Sequence, residues 1–193
     1  EKHFLAEGEQ AFEEGTLNYL NIPAVGIGLK HIESIGIDVI HDRVSYLTSW
    51  LMENLLSLRH SNGMPLVRVY GPTTMEARGG TLTINFYDPK DILIDHRRID
   101  SLAGRVGISL RTGCFCNPGA GELAHGLTEE DMAAAFENGE RMTFEQFLSV
   151  LEDRDGKSAG AVRISMGLKK NFAVVDKKWE FARSFINQTP GGV

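Results

Sequence analysis

The two cysteines of this 193-residue chain, Cys114 and Cys116, are separated by a single residue. Arg111 lies just before them, and a cationic group beside a thiol favours the thiolate over the protonated form. The thiolate is the nucleophile in thiol chemistry. One interpretation of the residues alone is therefore a reactive thiol in this pair.

Two other interpretations of this cysteine pair remain open. Free cysteines are often small buried hydrophobes. The pair also supplies two metal ligands, but structural zinc sites are typical of Cys-x-x-Cys or of closely spaced histidines. The candidate histidines, His41, His60, His96 and His125, are scattered. The spacing therefore predicts no metal site, and a disulfide between the two cysteines would close a small strained ring.

The residues around the cysteines predict a strand that leads into a tight loop. Ile108 and Leu110 alternate with polar neighbours, which is typical of a short strand. Thr112 and Gly113 come next, and residues 117–119 are Asn-Pro-Gly, so turn-forming residues flank the cysteines. We expect both thiols to lie on this loop.

A second residue that could do chemistry is Arg163. The alternation of Val162 and Ile164 with Arg163 and Ser165 predicts a strand with one apolar and one polar face. A buried guanidinium without a partner is costly, and its planar fork binds a carboxylate through two hydrogen bonds. From the residues alone, an acid of this chain and a ligand carboxylate are both open as that partner.

Hydrophobic periodicity predicts helices around a small sheet. The predicted helices cover 23–36, 37–58, 95–106, parts of 119–158, and 172–186, and the further strands cover 66–70 and 81–86. Because these strands follow one another without regular β-α-β alternation, we predict an α+β fold. It would contain a small, mostly antiparallel sheet with helices on one face.

Composition limits the class of protein. The chain is 42% hydrophobic and 24% charged, as is usual for a globular domain. Its 20 basic and 26 acidic residues give a net charge of −6, which argues against nucleic acid as a partner. The sequence has neither an apolar run of the ~20 residues that span a membrane nor a signal-peptide pattern. Two cysteines without an evident partner suit a reducing compartment, so we expect a cytoplasmic location.

One motif carries a family resemblance. Residues 111–119, Arg-Thr-Gly-Cys-Phe-Cys-Asn-Pro-Gly, resemble the active-cysteine loop of the molybdenum cofactor sulfurases and the related class V aminotransferase-like cysteine desulfurases. Residues 12–18, Phe-Glu-Glu-Gly-Thr-Leu-Asn, and residues 160–167, Gly-Ala-Val-Arg-Ile-Ser-Met-Gly, support it in the same order. The resemblance thus spans nearly the whole chain.

The resemblance implies the C-terminal small domain of a fold-type I enzyme that depends on pyridoxal phosphate and removes sulfur from L-cysteine or a similar amino acid. It implies that Cys116 is the nucleophile that carries a persulfide, with Cys114 as a neighbour that relays sulfur. Arg111 would poise the thiolate, and Arg163 would bind the substrate carboxylate. A further acceptor, whose chemistry the resemblance leaves open, would take the sulfur.

The resemblance also implies a homodimer, because Gly15 and Thr16 would reach the cofactor phosphate of the partner subunit. A glycine lets backbone amides approach a phosphate, and a threonine hydroxyl can donate to it. Leu17 stands where these relatives often carry proline. No lysine here matches the family's Schiff-base lysine, and the chain starts at Glu1 without methionine. We therefore expect a portion of a longer enzyme.

The expected organisation has three parts. Residues 1–22 form an arm at the interface with a missing cofactor domain, 23–188 form the small domain with a helical insertion at 119–158, and 189–193 form a tail. Functional alternatives remain open: a non-catalytic binding or regulatory module, a persulfide carrier, or aminotransferase-like or epimerase-like chemistry.

Overall fold

The computed structural model describes residues 4, 6–12, 15–114, 118–135, 143, 146–147, 149–150 and 160–189. The chain forms two compact units, residues 1–42 and 43–193. The first unit contains a short 3-10 helix, Gly8–Phe12, helix α1, Ile22–Ile35, and the beginning of α2, Ile37–Ser57. No described helix is long and apolar enough to cross a membrane.

Helix α1 begins and ends where its sequence predicts. Pro23 lies in the first turn, where its missing N–H costs no hydrogen bond. Gly36 follows the helix with a φ of 93°, and its N–H donates to the carbonyl of Ile32 at 3.0 Å. No side chain of α1 is buried, and Val25 and Ile27 are exposed. The apolar residues of this helix therefore do not contribute to a core.

The second unit is built on a five-stranded sheet in which every pairing is antiparallel. Its strands are β1, Val67–Tyr70; β2, Thr81–Tyr87; β3, Leu93–Ile94; β4, Arg111–Cys114; and β5, Gly160–Ser165. The order is β1-β2-β5-β4, and the short β3 pairs with β2. Further helices in the described residues are α3, His96–Arg105; α4, Pro118–His125; α5, Glu129–Ala135; and α6, Phe172–Arg183. The predicted α+β class is confirmed.

The core lies between one face of this sheet and the helices α2, α3 and α6. Alternate residues of β2 and β5 point to that face, because side chains along a strand alternate between its two sides. The central core side chains are Leu51, Leu55, Leu82, Ile84, Ile99, Val162, Ile164 and Val175. Each fully buried aliphatic side chain stabilises the fold by about 1.5–3 kcal/mol. The opposite face of β2 and β5 carries polar side chains.

Two capping pairs lie in the region after the cysteines. The Thr128 hydroxyl and the Asp131 carboxylate bond reciprocally to each other's backbone N–H at the start of α5. Thr143 and Gln146 exchange the same pair of bonds. Such reciprocal bonds satisfy N–H groups that a helix start leaves without an intrahelical partner.

The strand predicted through Ile108 and Leu110 is wrong. The backbone N–H of Ile108 donates to the carbonyl of Ala103 at 2.8 Å, so this residue still belongs to the turn that closes α3. Ile108 is nevertheless buried, which explains its apolar character. Pairing with β5 begins only at Arg111 and continues to Cys114.

His60 lies after the end of α2 and is buried, at 3% exposure. Its Nε2 lies 2.9 Å from the carbonyl of Tyr87, and its Nδ1 accepts from the N–H of Asn187 at 2.9 Å. Both ring nitrogens are therefore used to join α2, β2 and the segment after α6. Such long-range backbone partners cannot be inferred from local periodicity.

Candidate functional site

A row of four residues crosses the polar face of the sheet. Tyr70 pairs with Thr83, Thr83 with Arg163, and Arg163 with Arg111. Directly opposed residues of antiparallel strands lie on the same face, with Cβ atoms about 4.5–5.5 Å apart. The side chains of Arg111 and Arg163 thus extend from adjacent positions of one surface. The predicted thiolate-poising and carboxylate-binding arginines are brought together.

Both arginines of this row are exposed. Neither guanidinium has a hydrogen bond or ion pair with another residue in the part of the chain that the structure describes. Like charges directly opposite each other destabilise a pair of strands. An anion bound between them would remove this repulsion, and each planar guanidinium can bind a carboxylate with two hydrogen bonds. The chemistry that the row favours is therefore anion recognition.

Hydroxyl groups flank the two arginines. Thr83 lies beside Arg163 within the row, and the exposed Ser165 follows two residues later on the same strand face. Ser165 is itself paired with Thr81 of β2. Each hydroxyl can donate one hydrogen bond to an anion held by the guanidinium groups. The strict alternation of residues 81–86 indicates this shared face, but nothing in the sequence alone assigns these hydroxyls a function.

Cys114 is the last residue of β4 and pairs with Gly160 of β5. The prediction that both thiols follow the strand is therefore wrong for Cys114, because the backbone pairing extends three residues beyond Arg111. Cys116 lies outside the described residues. Its assignment as the nucleophile stays a prediction, and so does the relay role of Cys114.

Gly160 lies against the buried ring of His96, the first residue of α3. A Cβ atom added at Gly160 would stand 2.0 Å from the His96 Cε1 atom, so glycine alone permits this contact. Burial lowers the pKa of His96 and favours the neutral ring. Asp95 caps the same helix by accepting a bond from the Arg97 N–H at 2.7 Å. These contacts join α3 to the pair of opposed residues, Gly160 and Cys114, at the end of β4.

A buried polar cluster lies at the Tyr70 end of the row. Asn85 is 1% exposed, and its Nδ2 amide group donates hydrogen bonds to the Gly160 carbonyl at 3.1 Å and to the Tyr70 hydroxyl at 3.2 Å. The Tyr70 hydroxyl also lies 3.2 Å from that of Tyr87. Burial raises the pKa of the Tyr70 phenol, which therefore stays protonated. The cluster links β1, β2 and the first residue of β5.

His125, at the end of α4, packs on this cluster. Its ring centroid lies 5.3 Å from that of Tyr70. Burial, followed by the proximity of His96, lowers the pKa of His125 to about 4. A neutral His125 on α4 thus contacts the sheet at physiological pH. The sequence indicates this histidine only as a candidate metal ligand, because its contact with Tyr70 forms only in the folded chain.

Gly15 and Thr16 lie in the first unit of the chain. Gly15 has a φ of +72°, and no atom lies within 4 Å of the position that a Cβ would take. Thr16 is exposed. An open backbone in this left-handed conformation lets a phosphate approach the amide groups, so the local geometry fits the predicted phosphate contact. The contact itself stays a prediction.

The described part of the chain contains no evident metal-binding site. No three side chains among its histidines, cysteines, aspartates and glutamates cluster closely enough to hold a metal ion. Two of the candidate histidines, His60 and His125, make other contacts instead.

Comparison with known proteins places these residues in a family context. Residues 1–177 match the family model described as Aminotransferase class-V. The molybdenum cofactor sulfurases of Oryza sativa subsp. japonica and Homo sapiens are 33% and 32% identical over 189 and 183 residues. These alignments cover 94% and 92% of this chain, but 22% and 20% of the two sulfurases. The chain therefore spans about a fifth of the length of these relatives.

A solved structure supports the fold independently. The apo cysteine desulfurase from Thermococcus onnurineus NA1 superposes with a TM-score of 0.55 at 17% sequence identity. The match covers 97% of this chain and 36% of that structure. At this identity the likeness concerns the fold.

Proposed function

Because the chain belongs to the aminotransferase class-V family, we propose that it is the C-terminal part of a pyridoxal phosphate-dependent enzyme that removes sulfur from L-cysteine. The observation that carries the proposal is an exposed pair of arginines. Arg111 begins β4, the strand that ends at Cys114, and Arg163 lies opposite it on β5. An amino-acid carboxylate needs a fixed cationic partner, and a thiol-based sulfur acceptor must lie within reach of the same substrate. In this proposal Arg163 on β5 meets the first requirement, and Cys116, after β4, meets the second.

In this proposal Arg163 binds the α-carboxylate of the substrate through its planar fork. Arg163 lies on β5 between β2 and β4, so its backbone is paired with a strand on each side. Arg111 on the neighbouring strand adds a second positive charge, which stabilises a thiolate on the segment that follows. Thr83 supplies a hydroxyl beside the bound carboxylate.

Sulfur transfer then takes place at Cys116. Its thiolate forms an S–S bond with the substrate sulfur while the substrate C–S bond breaks. The electron pair of that bond stays with the carbon, which takes up a proton, so alanine leaves and Cys116 carries the persulfide. Pyridoxal phosphate, when bound, supplies the electron-withdrawing ring that makes this cleavage accessible.

A lysine-bearing cofactor domain is part of the proposal, because no lysine of this chain lies in the family's Schiff-base motif. Gly15 and Thr16 would contact the cofactor phosphate of a partner subunit, so the active form would be a homodimer. The exposed apolar side chains of α1 support such an arrangement, since apolar helix faces are usually covered in the complete assembly. The terminal sulfur acceptor would be a separate thiol-bearing or cofactor-bearing partner.

The experiment compares the 193-residue chain alone with the same chain joined to, or mixed with, the lysine-bearing half from the same gene. We expect only the combined protein to bind pyridoxal phosphate with visible absorbance and to release alanine and sulfide from cysteine. Cys116→Ala should abolish sulfide release in the presence of a reductant, and Cys114→Ala should lower it by less.

Three results would contradict the proposal. Sulfide release by the 193-residue chain alone would mean that another residue performs the lysine's chemistry. Full activity of the combined Cys116→Ala variant would remove the assigned nucleophile. A chain that takes sulfur from a small persulfide but never supports alanine formation would instead be a persulfide carrier.

A further inference from the structure

An open groove of about 380 Å³ lies on the helix side of the second unit, between α2 and the start of α6. It is lined by Tyr46, Leu47, Ser49, Trp50, Glu53 and Phe172. The arginine row occupies the opposite, polar face of the sheet. Nothing in the proposed sulfur chemistry uses the groove.

Aromatic rings form the walls of this groove. The rings of Trp50 and Phe172 meet edge to face with centroids 4.7 Å apart, and the ring of Trp179 also meets Trp50 edge to face, with centroids 6.0 Å apart. Tyr46 lies one helical turn before Trp50 and is 77% exposed, while Phe172 is 53% exposed. Trp50 is therefore held in a fixed orientation while its neighbours stay open to solvent. Rings held in this way offer their faces to a ligand with little loss of conformational freedom.

Glu53 is the only charged residue that lines the groove, within the part of the chain that the structure describes. It lies three residues after Trp50 on α2, so the carboxylate and the indole share one side of the helix. The Ser49 hydroxyl donates to Glu53 Oε1 at 2.7 Å, which restricts the orientation of the carboxylate. The groove therefore combines aromatic faces with a single oriented negative charge.

The same chain shows how an arginine uses these two groups together. The guanidinium of Arg68 lies 4.0 Å from the centroid of the Tyr87 ring. Its Nη2 also bonds to both carboxylate oxygens of Asp91, at 2.5 and 2.6 Å. The guanidinium of Arg68 is thus held by the face of the Tyr87 ring and by the carboxylate of Asp91. Trp50 and Glu53 present the same two groups, and none of the described residues that line their groove is basic.

We propose that this groove binds an arginine side chain presented by a polypeptide partner. The guanidinium would stack on Trp50 with Tyr46 and Phe172 around it, and would bond to the Glu53 carboxylate. Stacking on the indole is a cation–π contact, which is strongest for tryptophan. Lysine would bind less well, because an ammonium group lacks the planar fork that matches both the ring and the carboxylate.

The test titrates the 193-residue chain with the peptide acetyl-Gly-Arg-Gly-amide and follows tryptophan fluorescence. The matched probes carry citrulline, which keeps the shape without the charge, or lysine, which keeps the charge without the plane. We expect the arginine peptide to bind at least about tenfold more tightly than the citrulline peptide. Glu53→Gln and Tyr46→Ala should each weaken arginine binding severalfold.

Glu180→Gln is the control variant, because Glu180 is an exposed acid on α6 outside the groove lining. It should bind the arginine peptide as the unchanged chain does. Equal affinity for arginine and citrulline would overturn the proposal, as would undiminished binding by Glu53→Gln. No fluorescence change up to millimolar peptide, with the fold verified by circular dichroism, would overturn it as well.

Discussion

Arg111 and Arg163 lie directly opposite each other on the antiparallel strands β4 and β5. Both are exposed, and no described residue neutralises either of them. A sheet with a purely structural role would be more stable with an acid or a neutral side chain at one of these positions, since like charges in register are unfavourable. The pair is therefore best explained by a ligand that carries negative charge.

The first prediction concerns the stability of the unliganded chain. Arg111→Gln removes the repulsion with Arg163, so the free energy of unfolding should rise by about 0.5 kcal/mol. Added salt should stabilise the unchanged chain more than this variant, because exposed charges are screened. Urea denaturation at low and high salt measures both effects.

Arg97→Gln is the control for that experiment. Arg97 bonds to the Asp95 carboxylate, so its loss should lower stability instead of raising it. A loss of stability in Arg111→Gln of the same size would show that Arg111 has a structural partner, and the ligand explanation would then fail.

The second prediction concerns substrate binding in the complete enzyme. Arg163→Lys keeps the positive charge but loses the planar fork, so kcat/KM for cysteine should fall on the order of 10- to 100-fold. Steady-state alanine formation measures the change. Arg183→Lys, an exposed arginine on α6, is the control and should leave kcat/KM unchanged. An intact kcat/KM in Arg163→Lys would refute the carboxylate assignment.

Local patterns predicted most of the elements of this fold. The alternation in residues 81–86 and 162–166 predicted β2 and β5 with the correct buried faces. Gly36 and Pro23 predicted the limits of α1. These predictions hold because they depend on short-range periodicity and on the backbone preferences of glycine and proline.

The features that local patterns did not predict depend on partners that are distant in the sequence. The start of β4 depends on its register with β5, and the burial of His60 depends on its contacts with Asn187 and Tyr87. Neither partner is indicated by residues close in sequence. The two arginines were predicted separately, but their direct pairing depends on the register between strands about 50 residues apart, which is a property of the folded sheet.

The third prediction tests the contact between Gly160 and His96. Gly160→Ala should lower the free energy of unfolding by about 1–3 kcal/mol, because the new Cβ overlaps the histidine ring and something must shift. In the double variant with His96→Ala the loss should be smaller than the sum of the single losses. Gly79→Ala, where no atom lies within 4 Å of the added Cβ, is the control. Additive losses would mean that the two residues do not interact.

The last prediction concerns pH and His125. Its pKa is lowered from 6.5 to about 4 in the folded chain, so between these values the unfolded chain binds more protons. The stabilisation is fully present above pH 6.5 and is lost progressively as the pH falls towards 4. Allowing for the partial exposure of the ring, this loss is about 2 kcal/mol.

Urea denaturation of the 193-residue chain at pH 7, 6 and 5 measures this dependence. His125→Gln removes the titrating group, so the loss of stability between pH 7 and 5 should shrink relative to the unchanged chain. The remaining slope contains the contribution of His96, whose pKa is lowered by burial and which acts in the same direction. His41→Gln is the control, because His41 is exposed on α2 and should leave the slope as it is. An identical slope in the His125→Gln variant would mean that the ring is not held neutral against Tyr70, and that α4 is not fixed to the sheet by this contact.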